Sequence, residues 1–170
     1  MIGGGGGYGD AACAEAGGRP TMTYQGSLKS GRGDSMALRL AAAQSISIPG
    51  DVAANAAVHE HFVAAAREAA VDVLIFPELS LSGYELPRLL ECQLQPDAGV
   101  LAPPRAHAVD AGMTVVVGAP VASGSALPAI GALAFHRDGS TSIYRKQHLH
   151  GDEVKYAVAG APRVRCHTEG

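Results

Sequence analysis

Residues 71–84 read VDVLIFPELSLSGY, a strand pattern followed at once by a polar loop. The first six residues are almost wholly apolar and rich in β-branched side chains, which is typical of a central strand covered on both faces. Pro77 ends this strand, because proline has no N–H group to donate to a sheet. Ligands of open α/β sheets bind at the carboxyl ends of strands, so Glu78 is a candidate general base. A solvated loop glutamate that caps a neighbouring helix is an equally good interpretation of Glu78.

The segments around this strand alternate between strand and helix patterns, which predicts a mixed α/β layer structure. Residues 38–43 form a short apolar run, typical of a buried strand. Residues 52–70 carry apolar side chains at helical spacing, with Asp51 as the N-cap. The other predicted elements are short helices at residues 87–94 and 101–111 and strands at residues 114–117, 130–135 and 140–144, the last two joined by a turn at Asp138-Gly139.

The first 35 residues are rich in glycine and lack apolar periodicity. Such a composition cannot bury enough apolar surface to offset the entropy of folding. We therefore interpret residues 1–35 as a disordered glycine-rich head and residues 36–170 as the folded part.

Composition and charge limit the possible partners. The chain has 170 residues and a net charge of -3, so charge alone attracts neither nucleic acid nor an anionic membrane surface. No stretch approaches about 18 consecutive apolar residues, and residues 1–10 lack a signal-peptide pattern. The three cysteines, Cys13, Cys92 and Cys166, lie far apart, which is typical of free thiols in a reducing compartment. We expect a cytoplasmic protein that acts on a small molecule or binds a protein partner.

Two charged segments follow the predicted hairpin. Residues 144–150, YRKQHLH, place Lys146 at a strand end, where its ammonium can stabilise an oxyanion or pair with Glu78. Residues 151–156, GDEVKY, offer Asp152 and Glu153, and one of these carboxylates can fold back onto the lysine. Each segment by itself is also typical of a solvated surface turn.

The histidines predict no metal site. His59 and His61 point in different directions on the predicted helix. His148 and His150 have no cysteine or carboxylate at zinc-site spacing. Because no glycine-rich phosphate loop follows a strand either, we expect no cofactor.

Taken in order, these motifs resemble the nitrilase superfamily, the carbon-nitrogen hydrolases. The resemblance covers most of the chain after the head. It rests on FPELSLSGY at 76–84, VVVGAP at 115–120, YRKQHLHGDE at 144–153 and AVAG at 157–160. It implies a four-layer α-β-β-α sandwich, incomplete at the C-terminus of this chain. It also implies a Glu-Lys-Cys triad that hydrolyses nonpeptide C–N bonds of amides, N-carbamoyl amines or nitriles.

The same resemblance implies a role for each charged residue. Glu78 matches the general base that takes the thiol proton, and Lys146 matches the residue that stabilises the tetrahedral intermediate. Glu153 matches an additional glutamate of many members, with Asp152 as the alternative. The family nucleophile ends a further apolar strand, and Cys166 has no such strand before it, so we expect the nucleophile to be missing from this chain. A full-length protein would be a homo-oligomer acting on a small-molecule amide or nitrile.

Other interpretations remain open. A chain without the nucleophile is also consistent with a non-catalytic nitrilase-like binding module or a decayed fragment. A Rossmann-like domain fits the βα alternation but has no glycine fingerprint after residues 38–43. An incomplete sandwich would expose the apolar strands at 71–76 and 114–117, so we expect poor solubility or association of this chain.

Overall fold

The computed structural model describes the backbone of residues 21–28 and all of residues 38–162. In these residues one six-stranded sheet, with strands in sequence order from edge to edge, packs against two α-helices. The strands are β1 (Thr21–Leu28), β2 (Leu38–Gln44), β3 (Val73–Ile75), β4 (Thr114–Val121), β5 (Ala129–Phe135) and β6 (Thr141–Arg145), and the helices are α1 (Val52–Glu68) and α2 (Ala102–Ala111).

The direction of the strands brings distant loops together. β2, β3 and β4 are parallel, with α1 and α2 as the crossovers between them. β5 is antiparallel to β4, and β6 is antiparallel to β5, so β6 runs in the same direction as β3 and β4. The carboxyl ends of β3, β4 and β6 therefore lie at the same edge of the sheet.

The helices cover one face of the sheet. Side chains of α1, α2 and the sheet form one buried apolar cluster that includes Phe62, Val63, Ala66, Leu74, Ala108, Val115, Val117, Leu133 and Phe135. On the opposite face, Ile75 is 44% exposed and Tyr144 is 51% exposed. In the described residues only the helix-facing side of β3 is buried, so the apolar pattern of residues 71–76 was wrong in predicting cover on both faces. The exposed Ile75 agrees instead with the exposure expected of an incomplete sandwich.

Several local predictions agree with the structure. β2 and α2 lie where the apolar patterns predicted a strand and a helix. Asp51 caps α1, since its Oδ1 accepts a hydrogen bond from the Ala54 N–H at 3.0 Å. β5 and β6 form the predicted hairpin, in which Gly139 has a φ of +81° and the Ser140 N–H donates to Asp138 Oδ1 at 2.8 Å.

Residues 21–28 differ from the prediction of a disordered head. They form β1, which pairs antiparallel with β2 and covers its edge. The segment contains two threonines and a tyrosine, which favour strands, but the surrounding glycines dominate the composition of the head. Residues 1–20 and 29–35 of the predicted head lie outside the described residues.

The prediction of a helix at residues 87–94 is wrong. Only Leu86–Arg88 forms a 3₁₀ turn, and Leu94 instead bridges to Val121. The Leu94 N–H donates to the Pro120 carbonyl at 2.9 Å, and the Leu94 carbonyl accepts from the Ala122 N–H at 3.0 Å. This bridge at the end of β4 requires an extended backbone at Leu94, which a helix does not allow.

The side chain of Asn55 on α1 hydrogen-bonds two loops that follow neighbouring strands of the sheet. Its side chain is buried, and its Oδ1 accepts from the Ile48 N–H at 2.7 Å. Its Nδ2 donates to the Ile48 carbonyl at 2.8 Å and to the Leu81 carbonyl at 3.0 Å. One amide therefore joins the loop after β2 to the loop after β3.

We expect Asn55→Ala to lower the free energy of unfolding by about 2 kcal/mol, because it leaves backbone groups of Ile48 and Leu81 without these partners. Urea denaturation followed by circular dichroism measures this loss. His61→Ala changes an exposed residue of the same helix and is expected to stay within about 0.5 kcal/mol of the wild type. Equal stability of Asn55→Ala and the wild type would contradict this account of Asn55.

Candidate active site

The three charged residues singled out in the sequence lie together at one edge of the sheet. Glu78 lies in the loop that follows β3, and Lys146 directly follows β6. Glu153 begins the 3₁₀ turn Glu153–Lys155. Strand direction places the Glu78 loop and Lys146 at the same edge of the sheet, and their side chains meet across the ends of β4 and β5.

The Lys146 ammonium lies between two carboxylates. Its Nζ is 3.0 Å from Glu78 Oε1 and 2.9 Å from Glu153 Oε1. The side chain of Glu153 is fully buried, that of Lys146 is 25% exposed and that of Glu78 is 44% exposed. An ammonium has three N–H donors, and the third has no acceptor within residues 38–162. The cluster therefore presents a positive donor beside a carboxylate that solvent can reach.

Glu153 is held on both of its carboxylate oxygens. Oε1 accepts from the Tyr84 hydroxyl as well as from Lys146, and Oε2 accepts from the His150 N–H at 2.8 Å. Asp152, the alternative from the sequence, is exposed, and its Oδ2 lies 3.9 Å from His150 Nδ1. Glu153, and not Asp152, is the second carboxylate on Lys146.

These contacts set the charge states. Burial raises the pKa of Glu153, but hydrogen bonds from Tyr84, Lys146 and His150 outweigh it and keep that pKa below its ordinary value. Burial lowers the pKa of Lys146, but the two carboxylates outweigh it and the pKa is raised. The hydrogen bond to Glu153 raises the pKa of Tyr84 to about 12. At neutral pH the cluster holds an ionised Glu153, a protonated Lys146 and a neutral Tyr84.

The charge states make the stability of the fold depend on pH. The pKa of Glu153 is lower in the folded chain than in the unfolded chain. Its contribution to stability is therefore present at pH values above its pKa in the unfolded chain, and it is lost as pH falls through its pKa in the folded chain. The raised pKa of Lys146 gives a contribution that is present below the unfolded value and is lost as pH rises through the folded value.

We therefore expect the free energy of unfolding to fall more steeply for the wild type than for Glu153→Gln once pH drops below about 4.5. Urea midpoints measured at several values between about pH 7 and pH 3 give the two slopes. Glu91→Gln, which removes an exposed glutamate paired with Arg88, is the control and keeps the wild-type slope. Parallel curves for Glu153→Gln and the wild type would contradict the lowered pKa.

The Glu78 loop, residues 77–84, lies directly on β4. Gly118 N–H donates to Ser80 Oγ at 3.1 Å, and the Leu81 N–H donates to the Gly118 carbonyl at 2.9 Å. A Cβ at Gly118 would lie 2.5 Å from the Pro77 carbonyl oxygen and would also meet the Leu79 nitrogen. Glycine at position 118 is what allows the loop to approach the strand so closely.

The backbone of Lys146 is fixed on two sides. Its N–H donates to the Ile130 carbonyl at 2.8 Å, and its carbonyl accepts from the Gly160 N–H at 2.8 Å. A Cβ at Gly160 would lie 2.7 Å from Arg145 Cβ, so this contact also depends on glycine. The ammonium thus extends from a backbone position that two neighbouring segments hold in place.

Cys92 is the one cysteine that the described residues contain, and it lies elsewhere. Its buried thiol is 3.7 Å from the Gly50 carbonyl, at the start of α1, and burial raises the pKa of the thiol. A raised pKa disfavours the thiolate that nucleophilic catalysis needs. Cys13 and Cys166 lie outside the described residues.

Two other kinds of feature are absent from the described residues. Within residues 38–162 no group of three or more His, Cys, Asp or Glu side chains is arranged to hold a metal ion. None of the helices described has both the length and the apolar character needed to cross a membrane.

Sequence reasoning missed three residues that shape this site: Tyr84, Gly118 and Asn55. Tyr84 and Gly118 stand in the quoted motifs FPELSLSGY and VVVGAP, but neither motif states a partner. A glycine inside a strand pattern is a known sign of close backbone approach, and it could have identified Gly118. Nothing local indicates the bridging role of Asn55, because its partners come from two separate loops.

Comparisons with known proteins agree with this architecture. Residues 39–166 match the family model described as carbon-nitrogen hydrolase. The NitN amidase from Nesterenkonia sp. AN1 is 25% identical, with a TM-score of 0.68 over 78% of this chain and 53% of that chain. A cysteine-to-alanine mutant of that amidase, solved in complex with butyramide, is 26% identical, with a TM-score of 0.65 over 74% of this chain and 49% of that chain.

A third solved structure supports the fold alone. XC1258 from Xanthomonas campestris, described as a CN-hydrolase superfamily protein with an arsenic adduct in the active site, is 22% identical. Its TM-score is 0.67 over 75% of this chain and 48% of that chain. The chain therefore spans about half the length of the solved structures that it matches. A search of curated proteins found no match.

Proposed function

Because the chain belongs to the carbon-nitrogen hydrolase family, the nitrilase superfamily, we propose that its protein hydrolyses small aliphatic amides by a thiol mechanism. The observation that carries the proposal is the Lys146 ammonium between the Glu78 and Glu153 carboxylates. The substrate class is supported by the similar amidase, mutants of which were solved with butyramide and with acrylamide.

The cluster can supply base, acid and electrostatic stabilisation. Glu78 takes the proton of a cysteine thiol, and the thiolate attacks the amide carbonyl carbon. The third N–H of Lys146 donates to the oxyanion that forms. Glu78 then gives its proton to the leaving amine, which leaves a thioester on the cysteine. Water, deprotonated by Glu78, cleaves the thioester, releases the carboxylic acid and restores the thiol.

Each carboxylate has a different task in this mechanism. Glu78 is 44% exposed, so it can exchange protons with a thiol, an amine and water in turn. Glu153 is fully buried and already accepts three hydrogen bonds, so it is not free for proton transfer. Its charge keeps Lys146 protonated through the reaction cycle. The nucleophilic cysteine comes from outside residues 38–162.

The test is ammonia release from butyramide and acrylamide. It uses the product of the complete coding sequence, since this chain spans about half the length of the solved structures that it matches. We expect turnover in the wild type and a loss of about 10³-fold in kcat/KM for Glu78→Gln, the size typical of a missing general base. Glu91→Gln, an exposed glutamate outside the cluster, keeps wild-type rates. Matched N-carbamoyl amine and nitrile substrates measure the alternative specificities in the same assay.

Labelling with fluoroacetamide identifies the nucleophile. One mutant of the similar amidase shows covalent addition of the acetamide moiety of fluoroacetamide at its active site cysteine. Peptide mass spectrometry of the labelled protein is expected to find one modified cysteine other than Cys92. If the wild type shows no turnover and no labelling, the proposal is contradicted and a non-catalytic nitrilase-like module is favoured.

A further inference from the structure

Tyr84 joins the charged cluster from the far end of the Glu78 loop. Its hydroxyl donates to Glu153 Oε1, the oxygen that also accepts from Lys146 Nζ. Tyr84 is 52% exposed, so the hydroxyl and not the packing of the ring connects it to the cluster. We propose, on the basis of the proposed function, that Tyr84 is a positioning residue whose hydroxyl fixes Glu153 and through it the Lys146 ammonium.

The charge balance explains why a neutral donor is useful at this position. A single ammonium faces two carboxylates, so among residues 38–162 Glu153 shares its only cation with Glu78. A buried carboxylate stays ionised only if its oxygens accept enough hydrogen bonds. Tyr84 supplies one of these without adding a second positive charge, which would compete with Lys146 for the oxyanion. The flanking Asp152 and Lys155 are exposed and supply none of the hydrogen bonds to Glu153.

The loop geometry links the two carboxylates. Glu78 and Tyr84 lie at opposite ends of one loop. Glu78 pairs with Lys146, and the Tyr84 hydroxyl donates to Glu153. Lys146 and Glu153 form an ion pair with each other. The loop closes on itself, since the Gly83 N–H donates to the Leu79 carbonyl at 2.8 Å. The four side chains therefore form a ring that the loop backbone completes. Loss of the Tyr84 hydroxyl opens this ring on the side away from Glu78.

The direct test is the titration of Glu153 in Tyr84→Phe. Glutamate labelled with ¹³C at the carboxyl carbon gives one signal for each residue, and Glu153→Gln assigns the signal of Glu153. We expect the Glu153 pKa to rise toward its ordinary value in Tyr84→Phe, because a hydrogen bond to the charged form is lost. Tyr144→Phe, which changes a tyrosine of nearly equal exposure on the open face of the sheet, leaves the titration unchanged. An unchanged Glu153 titration in Tyr84→Phe overturns the proposal.

Kinetics of the complete protein supply the second readout. We expect Tyr84→Phe to lower kcat for butyramide about tenfold, with little change in KM and with the acid limb of the kcat profile moved to higher pH. In a Glu153→Gln background, the same substitution causes no further loss, because the hydroxyl acts through that carboxylate. A tenfold loss in both backgrounds overturns the proposal. A shifted titration without ammonia release in the wild type supports the hydrogen-bond ring and overturns the proposed function.

Discussion

Lys146→Met is expected to lower kcat/KM for butyramide by about 10³-fold and the free energy of unfolding by about 2 kcal/mol. Activity falls because the variant has no donor for the developing oxyanion. Stability falls because the fully buried Glu153 carboxylate loses its cation while it remains out of water. Methionine fills a similar volume, so the loss of charge and not a cavity accounts for both effects. Ammonia release and urea denaturation measure the two quantities separately.

A double variant separates the stability effect from the catalytic effect. Lys146→Met/Glu153→Gln removes both charges of the buried pair, and we expect it to recover most of the lost stability and none of the lost activity. Lys155→Met, a change in an exposed lysine of the neighbouring 3₁₀ turn, alters neither quantity. Activity retained in Lys146→Met, or regained in the double variant, would show that Lys146 does not stabilise the transition state.

The site could be anticipated from the sequence because each charged residue follows a recognisable strand signal. The apolar run before Pro77 placed Glu78 at a strand end, and the Asp138-Gly139 turn placed Lys146 after the second strand of a hairpin. The structure brings both to the same edge, and the family match together with the similar amidase confirms the α/β fold of nitrilase type. The resemblance favoured Glu153 and left Asp152 as the alternative, because two adjacent carboxylates differ mainly in the direction that the 3₁₀ turn gives them.

The parts that could not be predicted depend on contacts between distant segments. Local composition favoured a helix over residues 87–94, but the bridge from Leu94 to the end of β4 requires extended backbone there. Glycine content favoured disorder in the head, but residues 21–28 find a partner in the edge of β2. The Tyr84 hydroxyl donates to Glu153, which lies 69 positions later in the chain. Patterns within one segment carry no information about such partners.

Gly118→Ala is expected to lower kcat/KM by about 100-fold and the free energy of unfolding by about 3 kcal/mol, although residue 118 bears no catalytic group. A Cβ at this position would lie 2.5 Å from the Pro77 carbonyl oxygen and 2.9 Å from the Glu78 carbonyl carbon. These are backbone atoms, so the clash cannot be relieved by turning a side chain. The Glu78 loop must move away from β4, and Glu78 then moves relative to Lys146.

Gly99→Ala is the matched control for this prediction. Gly99 lies in the 3₁₀ turn Gly99–Leu101, and a Cβ there would meet no atom within 4 Å. Gly99→Ala therefore lowers the backbone entropy of the unfolded chain, as Gly118→Ala does, but causes no clash. Wild-type activity in Gly99→Ala with a large loss in Gly118→Ala places the cause in the contact between β4 and the Glu78 loop. Equal effects of the two substitutions would contradict it.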